Sequence, residues 1–356
     1  MSGRSVGGFS LLEILLAASL GVVVAAALVQ LFAASSRSNV LLSGEAGLQE
    51  SVRHAFAFLA RSARGAGYLG CSSGVDVVNG LNGAWERVVE VGIAVAVDGF
   101  DGVGAGNGAE DWNPPLSALP LRGVDGSGQA FKSRNRIAPA RLKPGSDVVV
   151  FRRVEAPLHR LAAPWSDADP LTVMLDEDSS LTGDFALVSD CRQAALVRID
   201  DTGGGVGRTT LTRTSGSGPF DNRPAASVFV DLDPFGDEDQ PAGAAVAHVV
   251  TEIYFVAEGS GTNNRHDAVW SLWRKTSTRR AVELIEGIED MEIMFGVDGI
   301  PDDGSRAPTR YVPPGDTTDP VRTVRVSLVV SSVDVVTTDG QALSRRFSRT
   351  LALRNR

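Results

Sequence analysis

The sequence predicts an α+β protein in which one long amino-terminal helix precedes a large domain rich in antiparallel β-strands. Three observations predict this fold. An uninterrupted apolar run lies near the start of the chain, helical periodicity continues beyond that run, and after Gly70 short apolar segments alternate with clusters of Gly, Pro, Asp and Asn. A single amphipathic helix followed by many strands indicates that the apolar face of the helix packs against a sheet.

Composition limits the class of protein. The chain has 356 residues, of which 43% are hydrophobic and 22% are charged, and this composition excludes wholesale disorder and a multi-spanning membrane protein. Its formal net charge of -9 argues against a nucleic-acid partner, because phosphate binding uses clustered Lys and Arg. The length suits one elaborated domain or two modest ones, and the even density of apolar segments favours one.

The apolar run covers residues 9–34, and Glu13 is its only charged residue. At about 1.5 Å per residue these positions span roughly 39 Å, which exceeds the roughly 30 Å of a bilayer hydrocarbon core. The alternative is a secretory signal peptide, whose apolar region is usually about 7 to 15 residues long and ends in a small-x-small cleavage site. The length of the run therefore predicts a membrane-spanning helix.

Glu13 is an ionisable group at the edge of an apolar helix, and such a group indicates function by default. If the chain is cut after Gly8, the new α-amino group of Phe9 lies four residues before Glu13. The carboxylate of one copy then becomes a partner for the terminal ammonium of a neighbouring copy. The alternative is a structural one, in which the Glu13 side chain extends to the lipid headgroups.

These residues carry a specific resemblance. The sequence Gly8-Phe9-Ser10-Leu11-Leu12-Glu13, followed by the apolar run, resembles the class III signal of type IV pilins and type II secretion pseudopilins. The resemblance implies that a prepilin peptidase cuts between Gly8 and Phe9 and methylates the new amine. It also implies that Glu13 is the glutamate required for filament assembly.

Helical periodicity continues from residue 35 to residue 64. Apolar residues recur there at steps of three, four and seven, which places them on one face of a helix. We expect the helix to cover residues 9–64, to bend or loosen at its glycines, and to end at the glycines that follow Arg64. The residues of the apolar face are Leu41, Leu48, Val52, Phe56, Leu59 and Ala63, and the interior glycines are Gly21, Gly44 and Gly47.

Beyond residue 70 the pattern is that of short strands and polar loops. The predicted strands are 88–97, 148–154, 185–189, 195–199, 227–232, 246–257, 268–274, 288–295, 321–333 and 347–353. The segments predicted to be surface loops are 99–128, 203–207, 214–224 and 301–319. Strand 321–333 is expected to offer an exposed edge to other proteins.

Islands of this region are similar to PilW-family minor pilins. They cover residues 58–71, 144–149, 189–191, 282–292, 296–298, 325–328 and 351–356. The resemblance implies a pilin-like fold and a non-catalytic filament subunit, one of a priming complex of minor pilins at the pilus tip that also displays an adhesin. The J-type pseudopilin family of type II secretion has a similar carboxyl-terminal half and is the main alternative to the PilW family.

Cys71 and Cys191 are the only two cysteines. The residues alone allow either one disulfide in an oxidising compartment or two separate thiols. Both cysteines fall inside islands of the PilW resemblance, and this resemblance favours a Cys71–Cys191 disulfide.

No catalytic or metal-binding motif stands out. Four histidines are scattered without the spacing of a zinc site, and the glycine-rich run at 203–207 lacks the Lys and Ser of a phosphate loop, so no enzyme activity and no cofactor are predicted. One acidic loop has alternating carboxylates that could supply Ca²⁺ ligands, but it does not fit the EF-hand register, and a solvated loop is the better explanation. Its acidic residues are Asp231, Asp233, Asp237, Glu238 and Asp239.

The sequence therefore predicts three parts, namely a leader at residues 1–8, a helix at 9–64 whose first 26 residues cross the membrane, and a periplasmic domain at 65–356. Arg4, the only charged residue of the leader, favours a cytoplasmic leader and a single-pass inner-membrane precursor. The resemblance implies later transfer to the filament tip, a role in twitching motility, and contacts with the major pilin, other minor pilins, the prepilin peptidase and an adhesin. A type II secretion pseudopilin and a membrane-tethered periplasmic enzyme or ligand binder are the alternatives.

Overall fold

The computed structural model describes residues 10–70, 76–82, 92–106, 108–116, 141–160, 171–173, 185–189, 193–199, 201–205, 208–212, 215–217, 221–223, 245–276, 281–298, 307–316, 319–337 and 339–354. Within these residues the chain forms one long α-helix and sixteen strands in three sheets. The predicted α+β class, with a long amino-terminal helix and a β-rich remainder, is confirmed.

Helix α1, Leu11–Gly65, is 55 residues long, which corresponds to about 82 Å. It begins after Ser10 and ends where the Ala66 N–H donates to the Ser62 carbonyl oxygen at 2.9 Å. Gly67 follows with a φ of +75°, a conformation that favours glycine and stops the helix. The boundaries agree with the predicted 9–64 to within two residues.

The helix continues without interruption through the interior glycines where the sequence predicts a bend. At Gly44 the structure gives a different reason for glycine. A Cβ there would lie 3.3 Å from both methyl carbons of Val336, so the missing side chain lets the helix approach the hairpin that follows Ser332. Gly47 has no such neighbour, since nothing lies within 4 Å of a Cβ built at that position.

The strands form a nine-stranded sheet, a four-stranded sheet and a three-stranded sheet. They are β1 Asp76–Asn79, β2 Val97–Gly102, β3 Trp112–Asn113, β4 Val148–Arg160, β5 Leu171–Val173, β6 Phe185–Ser189, β7 Gln193–Arg198, β8 Asp201–Gly205, β9 Arg208–Thr212, β10 Ala245–Thr262, β11 Ala268–Thr276, β12 Val282–Glu286, β13 Ile288–Val297, β14 Arg310–Val312, β15 Val321–Val335 and β16 Ala342–Ala352.

The nine-stranded sheet has the order β1-β7-β6-β10-β4-β2-β3, and β11 and β12 continue from β10. Strand β10 is its centre, because β4 pairs with one side while β6 and β11 pair in succession along the other. All these pairs are antiparallel except β1 with β7. The four-stranded sheet has the order β14-β13-β15-β16, and β5-β9-β8 form the small third sheet.

Gly287 connects the two larger sheets. It lies between β12 and β13 with a φ of +81°, so one continuous stretch of chain leaves the nine-stranded sheet and enters the four-stranded one. Its N–H donates to the Trp270 carbonyl oxygen at 2.9 Å, and its carbonyl oxygen accepts from the Ser331 N–H at 2.7 Å. The glycine is therefore hydrogen-bonded to both sheets at the point where the chain turns.

The carboxyl-terminal part of α1 packs on the four-stranded sheet and on one face of the nine-stranded sheet. Leu48, Phe56 and Leu59 of the helix are buried in one cluster with Tyr254 of β10 and Leu328 of β15. Burying one leucine of this kind stabilises a fold by about 1.5 to 3 kcal/mol. Four of the six predicted apolar-face positions are buried, namely Leu48, Phe56, Leu59 and Ala63.

The opposite face of the nine-stranded sheet is also covered. Ile253 and Phe255 of β10 point to that side and pack around Trp112, which is 1% exposed. Because β10 is buried on both faces, its apolar residues run continuously rather than in alternation. Trp112 and Phe100 lie inside segment 99–128, so the prediction that this segment is a surface loop is wrong where the structure describes it.

Most predicted strands that fall on described residues are confirmed, with boundaries extended by a few residues. The predicted strand 88–97 is wrong in its described part, because residues 93–96 form turns and bends and β2 begins only at Val97. Predicted loop 301–319 contains β14, and predicted loop 214–224 contains the fully buried Asn222. Predicted strand 227–232 lies outside the described residues.

Segment 203–207 was predicted to be a surface loop, and this is wrong where the structure describes it, because Gly203, Gly204 and Gly205 lie within strand β8, which pairs with β9. Strand 321–333 was predicted to be an exposed edge, and this is wrong. It corresponds to β15, which is paired on both sides by β13 and β16. The edge strands of this sheet are β14 and β16.

Candidate membrane and assembly segment

The amino-terminal half of α1 makes an apolar rod that the domain does not cover. Large side chains there are exposed, from Leu11 at 77% to Phe32 at 77%. Contiguous apolar surface of this size marks contact with a membrane or with another protein. By length and composition, α1 is the one helix among the described residues that could cross a membrane.

Glu13 has an intrachain partner in the structure. Its carboxylate oxygen Oε2 accepts a hydrogen bond from the Ser10 N–H at 3.0 Å, while the Ser10 hydroxyl oxygen accepts from the Leu12 N–H at 3.3 Å. These bonds form a capping box, which satisfies backbone donors that have no partner within the helix. The Ser10-x-x-Glu13 pattern is the sequence signal for it. Gly8 and Phe9, the predicted processing residues, lie outside the described residues.

Three polar contacts hold the other end of the helix on the domain. The Ser62 and Tyr254 hydroxyl oxygens are 2.8 Å apart in a buried hydrogen bond between α1 and β10. The Gly67 N–H donates to the Arg152 carbonyl oxygen of β4 at 2.9 Å. Nearer the membrane segment, Glu45 and Arg345 of β16 form an ion pair at 2.9 Å. The helix is therefore fixed to the domain along its second half.

Asp147 joins three elements of the domain, and the sequence analysis missed this role. It precedes β4, is 3% exposed, and its carboxyl oxygens accept from the Gly102 N–H of β2 at 2.8 Å and from the Ile293 N–H of β13 at 2.6 Å. The Asp147 N–H also donates to the Met291 carbonyl oxygen at 2.8 Å. Asp147 thus hydrogen-bonds to backbone N–H and C=O groups of β13 on the edge that faces away from β15.

The electrostatics of Asp147 follow from its burial. Desolvation, together with the neighbouring Asp101 carboxyl group, raises the pKa of Asp147 to about 8, although the two backbone N–H donors act in the opposite direction. A side-chain hydrogen bond joins Asp147 to Asp101, whose pKa is also raised by burial. Burial therefore favours the state in which one proton is held between the Asp147 and Asp101 carboxyl groups.

We expect the stability of the domain to fall as the pH rises between about 4 and 8. The pKa of Asp147 is about 8 in the folded chain and roughly 3.9 in an unfolded one. The folded state therefore binds the proton more tightly, and this contribution is complete below pH 4 and is lost as the pH approaches 8. One such group changes the free energy of unfolding by at most about 1.4 kcal/mol per pH unit.

The test is urea unfolding, followed by tryptophan fluorescence, of wild type and Asp147→Asn across this pH range. Asparagine matches the acid in size and does not titrate, and it keeps one of the two acceptors because its amide nitrogen cannot accept from a backbone N–H. The variant should show a flatter pH dependence than wild type. Equal slopes in the two proteins would contradict the assignment of the buried proton to Asp147.

The remaining candidate residues are not brought together into a site. His54 lies 3.4 Å from Glu50 on the exposed helix, His159 is on β4, His248 is on β10, and His266 is in the β10–β11 connection. Within the part of the chain that the structure describes, no group of three His, Cys, Asp or Glu side chains could hold a metal ion. The predicted disulfide of Cys71 and Cys191 lies outside the described residues, as does the acidic loop that was considered as a calcium candidate, with Asp231, Asp233, Asp237, Glu238 and Asp239.

Comparison with known proteins gives one match. No curated protein and no solved structure matches the chain. Residues 253–351 match the model of a protein family described as Type IV Pilus-assembly protein W. The matched stretch begins within β10 and ends one residue before the end of β16, so it includes nearly all of the four-stranded sheet on which α1 packs, and it supports a role in type IV pilus assembly.

Proposed function

We propose that this protein is a minor type IV pilin, a non-catalytic filament subunit that helps to prime pilus assembly at the tip and supports the display of an adhesin. The observation that carries the proposal is the combination of an uncovered apolar rod with a β-rich domain matched by a pilus-assembly family. The rod would first hold the precursor in the inner membrane, with the domain in the periplasm. It would then become part of the helical core of the filament.

The size of the domain supports a scarce position in the filament. Helical stacking uses different surfaces on the two sides of each subunit, so every repeating subunit needs both surfaces free. A chain with a nine-stranded sheet and additional loops suits a cap better than a repeating unit. The partners would be other minor pilins, the major pilin and a tip adhesin.

The decisive experiment is mass spectrometry of the native amino terminus from cells with and without the prepilin peptidase. The proposal requires a mature chain that begins with an N-methylated Phe9 only when the peptidase is present. A mature chain that begins elsewhere would exclude every pilin-like role. Loss of piliation and twitching on deletion would then support the pilus, whereas loss of protein secretion with normal pili would identify a type II pseudopilin.

Two substitutions of Glu13 distinguish its role in capping the helix from its proposed role in pairing with a neighbouring subunit. The Glu13→Gln variant keeps a side-chain acceptor for the Ser10 N–H, since Gln also completes a capping box, but it removes the charge. The Glu13→Ala variant removes both. If the carboxylate pairs with the ammonium of a neighbouring subunit, both variants should be cleaved normally and both should be absent from sheared pili.

The readout is immunoblotting of the membrane and pilus fractions, with processing followed by the change in mass. Normal recovery of Glu13→Gln in pili together with loss of Glu13→Ala would show that helix capping is the essential task. Glu50→Gln on the exposed part of the same helix is the matched control, because it changes the charge by the same amount.

A further inference from the structure

Strand β16 ends the four-stranded sheet. It pairs with β15 from Thr323 to Val335, and among the described residues no strand pairs with its other side. An unpaired edge of this length exposes a row of backbone donors and acceptors that can accept another strand. Its eleven residues, Ala342–Ala352, are about twice the length of a typical strand.

The register shows which backbone groups of β16 face outward. The Leu353 N–H donates to the Arg322 carbonyl oxygen at 3.2 Å, and the Leu343 N–H donates to the Ser332 hydroxyl at 2.9 Å, so odd-numbered residues bond towards β15. Bonded and non-bonded residues alternate in an antiparallel pair. The N–H and C=O groups of the intervening residues therefore face the open edge, and those residues are Ser344, Arg346, Ser348 and Thr350.

The edge is strongly basic on an acidic protein. Strand β16 contains Arg345, Arg346 and Arg349 and no acidic residue, whereas the whole chain has a net charge of -9. Arg345 contacts Glu45 at 2.9 Å, and Arg346 contacts Glu292. All three arginines are exposed. Arg349 forms no ion pair with any of the described residues.

The arginines disfavour pairing between two copies of this edge. In an antiparallel pair that overlaps the whole strand, Ala342 of one copy faces Ala352 of the other. Arg345 then lies directly opposite Arg349, and this happens twice in the pair. Like charges directly opposite each other destabilise a sheet. The edge therefore has backbone groups available for hydrogen bonding, but its arginines disfavour this pairing with a second copy.

We propose that the β16 edge binds an extended acidic strand of a different protein. Arg345 and Arg349 are four positions apart and share one face, so a partner strand with carboxylates at the same spacing would place one beside Arg349, which has no ion pair among the described residues, and one beside Arg345, which would then contact both that carboxylate and Glu45. Backbone hydrogen bonds to Ser344, Arg346, Ser348 and Thr350 supply affinity without regard to sequence, and the arginines supply selectivity. The inference does not depend on the pilus role, because it concerns the isolated chain and one defined edge.

The test uses the purified full-length chain in detergent micelles and a synthetic strand of about ten residues. The strand consists of alternating Thr and Val with two Glu at the spacing of Arg345 and Arg349, and the matched control strand has Lys at the same positions. Amide hydrogen exchange of β16 is the readout. The acidic strand should slow exchange in β16 and nowhere else, and the Lys strand at the same concentration should slow it much less.

Two pairs of variants identify the contacts. Ser348→Pro removes an outward N–H without removing a bond to β15, and Ser348→Ala is its control because both variants lose the hydroxyl contact with Ser327. Arg349→Glu should weaken binding of the acidic strand roughly fivefold, the upper end for one exposed ion pair, whereas the distant Arg61→Glu should not.

Three results would overturn the proposal. The first is unchanged exchange in β16 at a saturating concentration of the acidic strand. The second is equal protection by the Lys strand, which would mean that the arginines do not select the partner. The third is protection that appears without any added strand and grows with protein concentration, which would identify β16 as a self-association edge.

Discussion

Replacing Gly287 by alanine is expected to lower the free energy of unfolding by roughly 3 kcal/mol. Two effects combine at this position. The φ of +81° is unfavourable for any residue with a Cβ, and a Cβ built here would lie 2.6 Å from the Ser331 carbonyl oxygen. The oxygen belongs to backbone and cannot rotate away. Relief of the clash would displace β13 from β15 at the place where the two larger sheets meet.

Urea unfolding followed by the fluorescence of Trp270 and Trp273, which lie on β11, measures this effect directly. Gly47→Ala is the control, because the same substitution there meets nothing within 4 Å. In a helix interior alanine is favoured over glycine by about 1 kcal/mol, so this variant should be neutral or slightly more stable. A Gly287→Ala protein as stable as wild type would show that Gly287 is not required for the turn between the sheets.

Replacing Leu59 by alanine is expected to reduce the free energy of unfolding by about 2 to 5 kcal/mol. Leu59 is 0% exposed and belongs to the cluster that joins α1 to both larger sheets. Truncation removes buried apolar atoms and leaves a cavity, and the surrounding strands can close it only in part. The loss should appear as a lower urea midpoint with an unchanged slope.

The matched control is Leu42→Ala on the same helix, where the leucine is 62% exposed. This change should alter stability by less than about 0.5 kcal/mol. A similar effect of both substitutions would contradict the assignment of residues 48–63 as the part of α1 that packs on the domain. The two variants also separate folding defects from assembly defects, since only Leu59→Ala should weaken the domain itself.

The longest elements of the fold could be predicted from the sequence, because each has a strong hydrophobic pattern. The apolar run and the recurring residues from Leu41 to Ala63 predict α1 almost to the residue, because burial on one face imposes a helical period. The longest strands, β10 and β15, are predicted from runs rich in β-branched residues. The apolar residues of β10 run almost continuously because both of its faces are buried, whereas those of β15 alternate with less buried residues.

Other features depend on distant partners and leave little trace in the sequence. Trp112 lies among Gly, Asp and Asn residues that indicate a surface loop, yet it packs against β10 and its ring N–H donates to the Ser146 carbonyl oxygen at 2.9 Å. Strand β14 has only three residues and exists because β13 offers it an edge. Pairing partners also decide which strand is an edge, and this is why β15 was taken for one in place of β16.

The candidate assembly segment was predicted in part. The exposed rod follows from hydropathy, and the capping box around Glu13 matches the pattern Ser10-x-x-Glu13, although the contacts expected for that carboxylate were a neighbouring ammonium or the lipid headgroups. The role of Asp147 could not be predicted, because the three strands it joins are far apart in sequence. A short Gly-Ser-Asp turn is compatible with many environments, and only the packed structure shows that this one is buried.

Helix α1 is attached to the domain at one end only, so a small rotation there produces a large displacement at the other end. The contacts at Glu45 and beyond hold one end on the domain, and more than thirty residues before them extend freely, a distance of about 50 Å. A tilt of only about 5° at the attached end would therefore move Leu11 sideways by roughly 4 Å, close to the spacing between neighbouring strands. Small changes in how the helix sits on the four-stranded sheet would thus be amplified at the segment that holds Glu13.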